Sequence, residues 1–177
     1  MKNVLKMLLV AFAIGTTISC SSDDDSSPEP QGSSFKIDGM SYDMSLAEPN
    51  GGVIQIINGF GEEGESTSQI MLAGANENKV GSVVFHINFM EADGISGTYL
   101  DGDTLDEIGV FDSETSMYST QEIVDGSQQI EMSEGAEGTF KITQNSGANY
   151  TIEFNVTYDD GTVAEGSVTQ DFVVQEI

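Results

Sequence analysis

The 177-residue chain carries 30 acidic residues against five lysines and no arginine, a formal net charge of −25 at pH 7. So anionic a chain lacks the Lys and Arg that displace counterions from phosphates, which excludes nucleic acid and loose adsorption to anionic lipid. It has a single Cys, so no internal disulfide can form, and no Trp, but its aliphatic, Phe and Tyr content suffices for a core.

Residues 1–19 have the layout of a secretory signal. Lys2 and Lys6 give a positive start, Met7 to Ile14 is apolar, and small residues lead into Ser19-Cys20. That run is shorter than the ~20 apolar residues that cross a bilayer. Ile18-Ser19-Cys20 resembles the bacterial lipobox, with Thr17 standing where that motif usually has Leu. The resemblance implies that the Cys20 thiol receives a diacylglyceryl group and becomes the first residue of the exported chain. Several acyl chains, at ~0.8 kcal/mol per buried CH₂, make a lasting membrane anchor where one chain would be marginal. Ser21, Ser22, Asp23, Asp24 and Asp25 follow directly and are similar to the serine-plus-acidic export signal of Bacteroidota lipoproteins. That similarity implies an outer-membrane position facing the cell exterior.

Residues 20–34 supply Ser, Asp, Pro, Glu, Gln and Gly with no apolar side chain after the Cys, which predicts a flexible acidic tether. Beyond it, residues 35–177 have the size of one domain. Phe35 to Ile37 alternates, Asp38-Gly39 is a hairpin signal, and Met40, Tyr42, Met44 and Leu46 alternate after it. Val53 to Ile57 is a nearly continuous apolar run, which predicts a strand covered on both faces. Gln69 to Ala73, Val80 to Met90 and Ile95 to Leu100 follow as strands between Gly, Asn and Asp turns. Ile108 to Phe111, Met117 to Val124 and Gln128 to Met132 are weaker strand candidates. The clearest element comes last: Tyr150, Ile152, Phe154, Val156 and Tyr158 occupy every second position, with polar residues between them. Together with Phe140 and Ile142 before it, and Asp160-Gly161 and Val168 after it, this predicts a three-stranded antiparallel meander.

Nothing has apolar residues at helical spacing over three turns. About ten short strands predict an all-β domain, an antiparallel β-sandwich or alternatively a calycin-like β-barrel. Phe35-x-Ile37-Asp38-Gly39-x-x-Tyr42, Gly97-Thr98-Tyr99 before an acidic turn, and Gly138-Thr139-Phe140 before a long hairpin resemble small all-β surface lipoproteins of Bacteroidota. The resemblance spans most of residues 35–174. It implies an architecture and no reaction.

Candidate chemistry is sparse. His86 is the only histidine, so neither a triad nor a multi-histidine zinc site can be assembled. Paired carboxylates for glycoside hydrolysis need a defined separation in a cleft, and no pair among 30 acids is singled out by sequence. Asp101, Asp103, Asp106 and Glu107 form an acidic loop that offers oxygens to Ca²⁺, the one cofactor the sequence suggests; Leu105 and Asp106 depart from the EF-hand pattern. Tyr42, Tyr99 and Tyr118 are candidates for a displayed aromatic binding patch. The expectation is a non-enzymatic, surface-tethered domain that binds an extracellular glycan or protein. The alternatives are an envelope component stabilised by Ca²⁺ or salt, and a carboxylate glycosidase.

Replacing the anchor gives a direct check. Cys20→Ala is expected to move the chain from the membrane fraction to the soluble fraction on cell fractionation; a variant that stays in the membranes would refute thioether anchoring at Cys20.

Overall fold

The computed structural model describes residues 33–47, 51–59, 63–102, 108–125 and 127–177. The first element is a hairpin, β1 (Ser34–Ile37) and β2 (Met40–Asp43), turned at Asp38-Gly39, where φ is +49° and +74°. A two-residue hairpin loop needs left-handed backbone at both central positions, and Asp-Gly reaches it at low cost. A 3-10 turn, Met44–Leu46, follows, with the Asp43 carboxylate accepting from the Ser45 backbone N–H at 2.8 Å.

Strands β3 (Gly52–Asn58), β4 (Glu65–Ala75) and β5 (Lys79–Met90) form an antiparallel meander. Next, β6 (Gly97–Gly102) and β7 (Val110–Asp112) pair in parallel. The β8 (Met117–Val124) and β9 (Ser127–Ser133) hairpin lies against the free edge of β5. A second meander follows, β10 (Glu137–Ser146), β11 (Asn149–Thr157) and β12 (Val163–Asp171), and β13 (Val173–Glu176) then runs parallel to β3.

Hydrogen-bonded neighbours run β4-β2-β1-β12-β11-β10-β6-β7-β5, and β5 pairs back onto β4, so these strands close a ring. Strands β3 and β13 extend outward from β4, and β8 and β9 from β5. Two corners of the ring rest on single residue pairs, Asp43 with Ala75 and Ile87 with Phe111. Across the ring, the Phe85 ring of β5 lies 4.5 Å from Phe140 of β10 and 5.3 Å from Phe154 of β11, and meets Phe111 edge-on at 5.9 Å. The two long sides therefore share one core, to which β1, β3, β4, β8 and β12 add Phe35, Ile37, Ile54, Ile70, Leu72, Tyr118 and Val168. Close approach is built in at Gly81, where a Cβ would come within 2.7 Å of the Tyr42 ring.

The all-β expectation holds, and three details differ from it. There are thirteen strands among the described residues, not about ten: β2 and β7 fall within the Met40 to Leu46 and Ile108 to Phe111 stretches, and β13 is a separate four-residue strand after β12. Two pairings are parallel, β6 with β7 and β13 with β3, where sequence reading expected antiparallel neighbours throughout. Finally, the fold lies between sandwich and barrel: two facing sides, as in a sandwich, joined at both corners into one sheet.

Phe85 touches both sides, so its truncation tests this arrangement. Phe85→Ala is expected to cost about 3–5 kcal/mol in urea unfolding. A loss below about 1 kcal/mol would show that the sides do not depend on that ring.

Candidate binding surface

The anchor residues Cys20, Ser21, Ser22, Asp23, Asp24 and Asp25 lie outside the described residues, as do Asp103, Asp106 and Glu107 of the acidic loop. Asp101 closes the end of β6 and accepts from the Gly138 backbone N–H at 3.1 Å, which ties β6 to β10. No group of three or more His, Cys, Asp or Glu side chains gathers as a cation site among the described residues.

The aromatic patch needs correction. Tyr42, Tyr99 and Tyr118 are 0%, 3% and 5% exposed and belong to the core. Each stands at an inward-facing position of its strand. Tyr42 stacks on Phe35 with centroids 5.7 Å apart. Tyr99 donates to the Ile95 carbonyl at 2.8 Å, and burial pushes its hydroxyl up to about 12. Tyr118 donates to Asp160 Oδ2 at 2.6 Å, and this bond holds the Asp160 carboxyl below the usual carboxylate range. Every described Phe and Tyr is buried, so no ring among them is available for stacking on a sugar.

His86 stands where the outer neighbour of β5 changes from β8 to β7. Its Nδ1 lies 3.2 Å from the Thr115 carbonyl oxygen, which can only accept, so the ring proton is on Nδ1. Nε2 then accepts from the Gln69 amide at 2.9 Å. Both ring nitrogens are satisfied in the neutral state. Burial lowers the imidazole below its ordinary value, against a smaller opposing pull from the Asp112 carboxylate and the Thr115 carbonyl.

The distinctive surface is the outward face of the half built from β13, β3, β4, β5, β8 and β9. Inward positions of these strands are occupied by the core residues Ile54, Ile70, Leu72, Val83, Phe85 and Tyr118. Strand register then sets the outward positions in rows, most of them half-buried, with Ala73, His86 and Met117 buried. One row is apolar: Val173, Val53, Met71, Val84 and Met117 on five successive strands. The next is amide and imidazole: Gln175, Gln55, Gln69 and His86. On the other flank run Ala73, Ser82, Ser119 and Met132, then Ala75, Val80, Gln121 and Ile130. With strands about 4.8 Å apart, a five-strand row is roughly 19 Å long. Glu65, at the start of β4, is the one charged residue at these outward positions, although the chain has 30 acids. Ile123, Ile130 and Met132 at its β8–β9 margin are 74%, 58% and 57% exposed.

The opposite side of the ring has an ordinary solvated exterior. Lys36 pairs with Glu165 at 3.1 Å and Lys141 with Glu153, while Asp43, Glu137 and Asp171 also point outward there. At one end of the uncharged face, an open groove of about 580 Å³ lies between Met40, the Asn76 to Lys79 turn and Glu122-Ile123. Lys79 and Glu122 form an ion pair there at 3.4 Å.

Sequence signals for this face existed. The apolar run Val53 to Ile57 puts Val53 and Ile57 outward, both partly buried. No protein family, curated protein or solved structure matches this chain.

The His86 environment predicts a pH dependence. Its folded-state pKa lies below the ordinary ~6.5 of the unfolded chain, so the unfolded state takes up the proton first as pH falls. This contribution is full above ~6.5 and is lost progressively below it, until the folded-state pKa is reached. NMR titration of the imidazole should give a midpoint below 6.5, and His86→Gln should flatten the stability profile just below that pH. A midpoint at or above 6.5 would refute the neutral, buried assignment.

Proposed function

We propose that this chain is a lipid-anchored, non-enzymatic domain at the exterior of the outer membrane, and that it docks a protein through the uncharged outward face of β13, β3, β4, β5, β8 and β9. The observation carrying the proposal is the contrast between the two exteriors of one ring. One has charge and ion pairs; the other is a field of aliphatic, Met, Gln, Ser and Thr side chains. A face meant only for water gains solubility from charge at no cost in packing, and a broad uncharged apolar face on a soluble domain marks an interaction site.

A protein partner suits this surface better than a glycan. Sugar recognition draws on displayed aromatic rings, and the described ones are in the core. The in-line amides of Gln55 and Gln69 beside the Val53–Met71–Val84 row instead offer hydrogen bonds next to apolar contact, the composition of a protein interface. The signal, lipobox and export resemblances at residues 1–25 supply the location. They also hold the partner to molecules reachable from the membrane surface.

A photo-crosslinking residue at Gln55, in cells making the full chain, is expected to give discrete protein adducts. The same group at Thr151, on the solvated side, should give none. Adducts equally abundant at both positions, or absent at Gln55, would overturn the docking face.

A further inference from the structure

Strand β9 is the end of the sheet on the β5 side, and its outer edge meets no other strand among the described residues. Proteins usually blunt such an edge with Lys, Pro, a bulge or a very short strand. The other terminal strand, β13, is only four residues long. In contrast β9 runs seven residues, Ser127–Ser133, in unbroken register with β8, and contains neither Lys nor Pro. Six of its seven residues are exposed, including Ile130 and Met132. Its single charge, Glu131, lies at an inward-parity position, within 3.4 Å of the Thr120 hydroxyl that donates to it.

About Ile130 the strand sequence Ser-Gln-Gln-Ile-Glu-Met-Ser has serine at both ends and side chains of similar length at Gln129 and Glu131 and at Gln128 and Met132. We infer that β9 is the site at which two copies of this chain associate, edge to edge and antiparallel, about a two-fold axis through Ile130. An isologous interface requires a patch that complements itself. A two-fold perpendicular to the sheet keeps each side chain on its own face, so a residue must oppose a position of the same parity. Centred on Ile130, the pairing sets Ile130 against Ile130, Gln128 against Met132, Gln129 against Glu131 and Ser127 against Ser133. Isoleucines then meet on the outward face. On the other face, an amide meets a carboxylate and serine hydroxyls meet each other, all favourable cross-strand neighbours. Moving the centre one residue to Glu131 would set two carboxylates directly opposite, which is destabilising. That shift is disfavoured, whereas the register centred on Ile130 leaves every facing pair within the strand compatible.

Charge points to the same edge. Two copies at −25 each repel over most of their surfaces, and β9 lies at the margin of the uncharged face, with Glu131 its single charge and Asp125 and Glu134 beyond its ends. The paired form would join two such faces into one continuous surface. This association is independent of the partner proposed for the face, because Gln55 and Gln69 lie on strands remote from β9.

A seven-residue strand pair is a small interface, below roughly 1,200 Å² in total, a size typical of weak, reversible complexes. Trapping is therefore the suitable test. In the full chain, Ile130→Cys is expected to give a disulfide-linked dimer on mild oxidation, since self-opposed positions fall within the ~4.4–6.8 Å Cα separation a disulfide spans. Gln128→Cys alone should not, because its opposite number is Met132; Gln128→Cys combined with Met132→Cys should. The unsubstituted chain, oxidised in parallel, controls for Cys20. Ile130→Lys, at an exposed position, should keep the melting temperature and lose self-association in sedimentation equilibrium. Self-association of the parent chain should tighten several-fold as salt rises from low to high and screens the repulsion. No dimer from Ile130→Cys, a dimer formed as readily from Gln128→Cys alone, or association weakened by salt would overturn the inference. Such a failure would leave the docking face at Gln55 untouched.

Discussion

The contact of Phe85 with Phe140, Phe154 and Phe111 holds the rest of the structure in place. Hydrogen bonding alone joins the two sides of the ring weakly, through one residue pair at each corner. Sheets with corners so lightly stitched would hinge open if apolar burial between the sides did not outweigh the ordering entropy. The Phe85 cluster supplies that burial from strands far apart in sequence. It also fixes parity: once Phe85 points inward, Val84 and His86 must point out, and every neighbouring strand in register follows. The uncharged face is thus the direct complement of the core.

Much of the architecture was legible in the chain. Alternation from Tyr150 to Tyr158 read as one strand with a buried face; β11 buries the first four of these residues, and Tyr158 is buried just beyond its end. Asp38-Gly39 read as a tight turn, and both residues adopt left-handed backbone. The continuous run from Val53 to Ile57 read as a strand covered on both faces; β3 buries Ile54 in the core, while Val53 and Ile57 on its other face are only half-buried. What local sequence could not give was pairing. The parallel partners carry no local signal: β7 pairs with β6 just before it, and the four-residue β13 with the distant β3. The tyrosines were misplaced for a related reason. A Tyr can stand in water or in a core, and only the stacking of Tyr42 on Phe35, with its buried hydroxyl unpartnered, and the bond from Tyr118 to Asp160 place these rings inside. The uncharged face is a property of six strands read side by side, so no single segment shows it.

Acidic residues are often explained by solubility alone, but their placement here has a second consequence. Repulsion between like-charged surfaces raises the free energy of every approach that brings carboxylates together, and leaves unaffected the few approaches that do not. Thinning the acids to Glu65 on one face and Glu131 in one edge strand therefore favours contact there without requiring strong contacts. This is specificity by penalising alternatives. It works best for a molecule confined to a membrane surface, where anchoring through Cys20 would raise the effective concentration of neighbours and let weak interfaces act. The same logic explains why β9 can lack Lys and Pro without inviting indiscriminate strand addition. Glu131 and the surrounding acids disfavour registers that bring carboxylates together and most anionic edges, and the register centred on Ile130 sets Glu131 against an amide.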